Sequence, residues 1–165
     1  TELPDGAGSI CIPTEEFNLI YQLSHIYRHL FSEGIGLRQM MDYYFIIRNE
    51  ELGIRNYENE LMNLGLRKFA GAVMWVLHEV FGLEEKFYIV PADERRGKLL
   101  LEEILIGGNF GQYDTRLGNK DGEGKLHRYF RMSLRNMRFI KHYPSEALCE
   151  PVFRTWHFFW RLLNG

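Results

Sequence analysis

This chain is expected to adopt an all-α fold of six or seven helices, on three sequence observations. Apolar residues recur at helical spacing over most of the 165 residues, strand-like alternation is nearly absent, and cap residues bracket the periodic segments. The first thirteen residues contain Pro4, Gly6, Gly8 and Pro13, and read as an irregular or strand-like segment. Thr14 is then a natural N-cap, with Glu15 and Glu16 placed favourably against the helix dipole. The first helix runs to about Phe31 and stops at Gly34-Ile35-Gly36. A second spans roughly Leu37 to Arg48, and a shorter third about Tyr57 to Asn63. Leu66, Ala70, Val73, Leu77 and Val80 keep one apolar face through a fourth helix that Gly82 can end. Phe87-Tyr88-Ile89-Val90 is a short apolar run before Pro91 and reads as a strand-like connector. Asp93 caps a helix reaching Ile106, residues 107–124 with their six glycines form a loop, and Lys125 to His142 is helical again. Tyr143-Pro144 breaks that helix, and a last one carries Trp156, Phe158, Phe159 and Trp160. No internal repeat or linker separates these elements, so residues 14–165 read as one helical domain.

The composition is 45% hydrophobic and 25% charged, enough apolar material for a core and too little charge for a disordered chain. The net charge of -2 argues against a surface devoted to nucleic acid. Charge is uneven, however: residues 125–165 hold eight basic side chains against Glu146 and Glu150. Such a segment can face a phosphate-bearing ligand or the acidic remainder of its own chain. No apolar run approaches bilayer length, and Cys11 and Cys149 are too few for a disulfide framework, so a soluble cytoplasmic protein is expected.

Two helices carry the candidate chemistry. On the first, Leu19, Leu23, Ile26 and Leu30 form the core stripe, while Gln22, His25, His29 and Ser32 form a polar stripe at its edge. His25 and His29 stand one turn apart. The metalloprotease order His-Glu-x-x-His is absent because Ile26 occupies the glutamate position, and two histidines alone do not make a metal site. On the second helix, Leu37, Met40, Met41, Tyr43, Tyr44, Ile46 and Ile47 lie on nearly all sides, which predicts burial. Arg38 and Asp42 are its only charges before Arg48, four residues apart, and so are expected to pair with each other or with a ligand. The short glycine connection makes the two helices neighbours, so His25, His29, Arg38 and Asp42 are expected to share one polar pocket. Gly108-Asn109-Phe110-Gly111 offers backbone amides to a phosphate through a turn centred on Asn109, without the Gly-x-x-x-x-Gly-Lys-Ser/Thr order of a P-loop.

The stretches Phe17-Asn18, His25-Ile26-Tyr27-Arg28-His29 and Gly34-Ile35-Gly36-Leu37-Arg38-Gln39-Met40-Met41-Asp42, with Gly108-Asn109-Phe110-Gly111 and Tyr143-Pro144-Ser145-Glu146 followed by Pro151, resemble the uncharacterised nucleotidyltransferase-like proteins of Bacteroides-type bacteria. That resemblance implies transfer of a nucleoside monophosphate from an NTP to an acceptor, using Mg²⁺ held by carboxylates. Such enzymes carry a Gly-Ser-like turn followed by Asp-x-Asp. Here Gly8-Ser9 is followed by no Asp-x-Asp, and the chain contains none. The expectation is therefore that an α/β catalytic domain precedes Thr1, that residues 1–13 are its remnant, and that residues 14–165 are the C-terminal helical portion, inactive alone. Its partners would be a nucleotide, an unidentified acceptor and that catalytic domain. Arg38, oriented by Asp42, is the first candidate for substrate or phosphate binding, then His25 and His29, then Asn109; none is a catalytic or metal-binding residue.

Two further readings stand beside this one. Arg135-Asn136 followed by His142 fits the Arg-x(4–6)-His spacing of HEPN-type helical ribonucleases, a spacing expected about once by chance in a chain of this composition. A non-catalytic interaction domain is the other.

Overall fold

The computed structural model describes residue 9 and residues 11–48, 57–107 and 125–164. These residues form seven helices and no strand. They are α1 (Glu15–Ser32), α2 (Leu37–Ile47), α3 (Glu58–Asn63), α4 (Arg67–Phe81), α5 (Glu94–Gly107), α6 (Lys125–Asn136) and α7 (Pro144–Asn164). The expected punctuation is realised in hydrogen bonds. The Phe17 amide donates to the Thr14 hydroxyl at 3.2 Å, and the Arg96 amide donates to Asp93 Oδ1 at 3.0 Å. Gly82 takes the left-handed conformation (φ 68°) and closes α4, its amide reaching the His78 carbonyl at 3.0 Å.

Two expectations need correction. Phe87–Val90 is no strand: a 3₁₀ turn spans Glu85–Phe87, and Ile89 and Val90 bend inward and are buried. Two apolar side chains in succession can both enter a core from a bend, whereas a strand would point them to opposite faces. The helix from Lys125 ends at Asn136 and tightens into a 3₁₀ turn over Met137–Phe139 before α7 begins at Pro144, whose missing N–H is harmless at a helix start.

The chain groups into two compact units: Thr1–Ile26 with Arg38–Leu100, and Tyr27–Leu37 with Leu101–Gly165. In the first unit the predicted α1 stripe is fully buried at Leu19, Leu23 and Ile26, joined by Met40, Tyr43 and Ile47 of α2 and Leu61 of α3. The centre is α4, where Phe69–Met74, Val76 and Leu77 are all buried. A helix enclosed this fully needs close neighbours, and two glycines provide the approach. The Asp93 amide donates to the Gly71 carbonyl at 2.9 Å, and a Cβ on Gly71 would lie 3.0 Å from the Pro91 carbonyl oxygen. On α5, a Cβ on Gly97 would lie 2.7 Å from Trp75 Cβ. Tyr43 is wholly enclosed, and burial, aided by Tyr57, pushes its phenol far above the ordinary range.

The second unit is built around four rings. Tyr27 and Phe31 of α1, 5.2 Å apart, meet Phe139 and Tyr143 edge to face with centroids 5.4–6.0 Å apart. Leu30, Ile35, Ile104, Met132 and Ala147 of the same unit are buried too. Arg138 reaches Glu103 at 3.0 Å, and Glu103 is itself buried.

Gly97→Ala tests the α4–α5 approach. The added methyl meets a β-carbon held by backbone rather than the flexible end of a side chain, so the variant should lose about 1–3 kcal/mol in urea unfolding. An unchanged midpoint would show that the contact is not close in solution.

Candidate functional site

The polar stripe of α1 lies at the edge of the buried face, as its spacing requires: Gln22, His29 and Ser32 are half-buried and His25 is exposed. His25 ends a ladder of rings spaced by one turn. Its ring stacks on Tyr21 at 6.0 Å and 17°, and Tyr21 stacks on Phe17 at 5.5 Å and 11°. Phe17 and Tyr21 are each 55% exposed, so α1 presents this ladder to solvent. His29 Nδ1 stands 3.5 Å from Glu33 Oε2, one turn on.

The second helix departs from the expectation. Only Met40, Tyr43 and Ile47 of α2 are buried, while Leu37, Met41 and Phe45 are exposed. Arg38 and Asp42 share that exposed side, and neither makes an ion pair or hydrogen bond with any described residue. Desolvation therefore does not force them together: an exposed pair at this spacing gains only about 0.3–0.5 kcal/mol, little reason to order two side chains. Among the described residues the Arg38 guanidinium is therefore without a charged partner. His25, Arg38 and Asp42 fall in the first unit and His29 in the second. Asn109 and its glycine turn lie outside the described residues.

Among the described residues no three His, Cys, Asp or Glu side chains gather where they could hold a metal ion. No helix among them is long and apolar enough to cross a membrane, and Cys11 and Cys149 are exposed thiols.

Arg135 and Asn136 take a different role from the one their spacing suggested. Both are buried. Arg135 Nη2 donates to the Leu30 carbonyl, and Asn136 Nδ2 donates to the Phe31 carbonyl at 3.0 Å. The last carbonyls of a helix lack donors within it, and these two side chains supply donors from 105 residues away. A ribonuclease site needs its arginine in reach of RNA, and this one is enclosed against α1. No signal in the sequence distinguishes a charged residue used this way from one in solvent.

With these positions in view, comparison with known proteins adds one finding. Residues 6–82 match the family model described as "Uncharacterised nucleotidyltransferase". No curated protein and no solved structure matches the chain significantly. The matched stretch takes in α1 to α4, ends at the Gly82 cap, and contains His25, His29, Arg38 and Asp42. It stops short of the glycine turn at 108–111 and of α7.

Replacing Asn136 checks the capping role. Asn136→Ala leaves the buried Phe31 carbonyl without this donor and should cost about 1–3 kcal/mol, and Asn136→Asp, which keeps the shape but not the donor, at least as much. Thermal unfolding of both variants reads this directly; if Asp at 136 is as stable as Asn, the hydrogen bond is not the contribution that matters.

Proposed function

We propose that this chain supplies the helical, substrate-side portion of a nucleotidyltransferase that moves a nucleoside monophosphate from an NTP to an acceptor. The family match over residues 6–82 supports the class of reaction. The observation that carries the role of these residues is Arg38, an exposed guanidinium with no partner among the described residues, inside the matched stretch. In this reading Arg38 takes the triphosphate by two parallel N–H···O contacts. The open ring ladder Phe17–Tyr21–His25 in the same unit offers planar surface for a base, because stacking on an aromatic face is indifferent to base identity.

The same proposal places the Mg²⁺-binding carboxylates outside the described residues. The chain has no Asp-x-Asp, and its described carboxylates do not converge. A catalytic domain bearing them would be the partner of this portion, which alone binds nucleotide without turning it over.

Thermal unfolding with each of the four NTPs tests this. A ligand at a hundredfold its Kd stabilises the native state by about 2.7 kcal/mol. For a chain of this length that corresponds to a rise in Tm of roughly 5–10 °C. Arg38→Ala should keep the Tm of the ligand-free protein, since Arg38 is exposed and makes no hydrogen bond or ion pair among the described residues, and lose most of the shift. No shift with any NTP would contradict the proposal; an undiminished shift in Arg38→Ala would remove Arg38 from it.

A further inference from the structure

One helix turns a second apolar face to solvent. On its inner side α7 buries Ala147 and half-buries Pro151. Along its outer side Leu148, Val152, Trp156, Phe159 and Leu163 follow one another by four, four, three and four residues, a line nearly parallel to the helix axis. Phe153 and Trp160 flank it. These seven side chains are 48–84% exposed. Their rings already touch: Phe153 and Trp156 lie 5.8 Å apart and Trp156 and Trp160 6.5 Å, while His157 stacks between Phe153 and Trp160 at 6.0 and 6.2 Å.

The extent of this face decides what can cover it. An aromatic side chain presents roughly 150–250 Å². At the observed exposures the seven together offer on the order of 800 Å² of apolar surface. That exceeds the roughly 300–600 Å² of the largest patch on an ordinary monomer, and equals the roughly 800 Å² that each partner gives to a standard interface.

We propose that the occupant is α7 of a second copy, packed antiparallel about a two-fold axis near Trp156. The order of the line is self-complementary about that point. With the axis between residues 155 and 156, Leu148 of one copy falls opposite Leu163 of the other and the smaller Val152 opposite the larger Phe159, and the two Trp156 rings flank the centre. A two-fold axis makes each contact twice, so one geometry covers the line from end to end on both copies. The inference rests on α7 alone and is independent of the nucleotide reading.

Light scattering coupled to gel filtration of the 165-residue chain, with sedimentation equilibrium over a dilution series, tests it. The expected species has twice the 19.6 kDa chain mass and dissociates on dilution. Trp156→Glu and Val152→Glu should each give 19.6 kDa at all concentrations with unchanged helical circular dichroism. A dimer indifferent to both substitutions would overturn the proposal. So would a monomer at every concentration, whether or not it sediments with phosphatidylserine-containing vesicles, which would make lipid the occupant. A monomer that loses helicity in Trp156→Glu would instead show that the face is covered within the chain.

Discussion

The structure of the second unit depends on how α1 ends. A helix leaves its last carbonyls without internal donors, and an end enclosed by other elements must find donors there. Here the Leu30 and Phe31 carbonyls are met by Arg135 and Asn136, both buried. Each hydrogen bond adds little by itself, about 0.5–1.5 kcal/mol, but a buried carbonyl stripped of its donor costs more than the bond contributes. The edge-to-face cluster of Tyr27, Phe31, Phe139 and Tyr143 stands beside these bonds. The polar contacts fix where α6 meets α1, and the rings supply the apolar area that makes the meeting favourable. Because α1 also gives Leu19, Leu23 and Ile26 to the first unit, its two halves serve two cores.

Local chemistry was legible in the sequence wherever one residue decides it. Thr14 and Asp93 cap because a short side-chain oxygen reaches the free amides of a first turn, and Gly82 ends α4 because the left-handed position favours a residue without a Cβ. The stripe Leu19-Leu23-Ile26-Leu30 was equally plain, since helical spacing alone puts it on one face. What escaped was non-local. The partners of Arg135 and Asn136 lie 105 residues away, and nothing near them in sequence announces it. Their spacing to His142 mimicked a ribonuclease pattern, while their burial gives them a structural use. The closeness of Gly97 to Trp75 is likewise a property of two helices together.

For α2 the misreading was of a different kind. Counting apolar residues round the helix predicts burial, but Leu37, Met41 and Phe45 remain in solvent. Folded proteins commonly expose apolar atoms, so an all-round apolar helix need not be enclosed. The consequence is chemical. A buried Arg38–Asp42 pair would have neutralised itself, whereas Arg38 is exposed and has no partner among the described residues. The observed exposure therefore gives no lock between helices at Arg38 and Asp42. The outer face of α7 follows the same logic at larger scale: it is apolar area of which about half or more stays exposed.

Amide hydrogen exchange across the last turn of α1 and along α6 addresses the central constraint most directly. If Arg135 and Asn136 hold the end of α1, the amides from Leu30 to Gly34 should exchange as slowly as those of Met132 to Asn136, and should speed up together with them in Asn136→Ala. A last turn of α1 that exchanges at the rate of a frayed terminus while α6 stays protected would contradict the account.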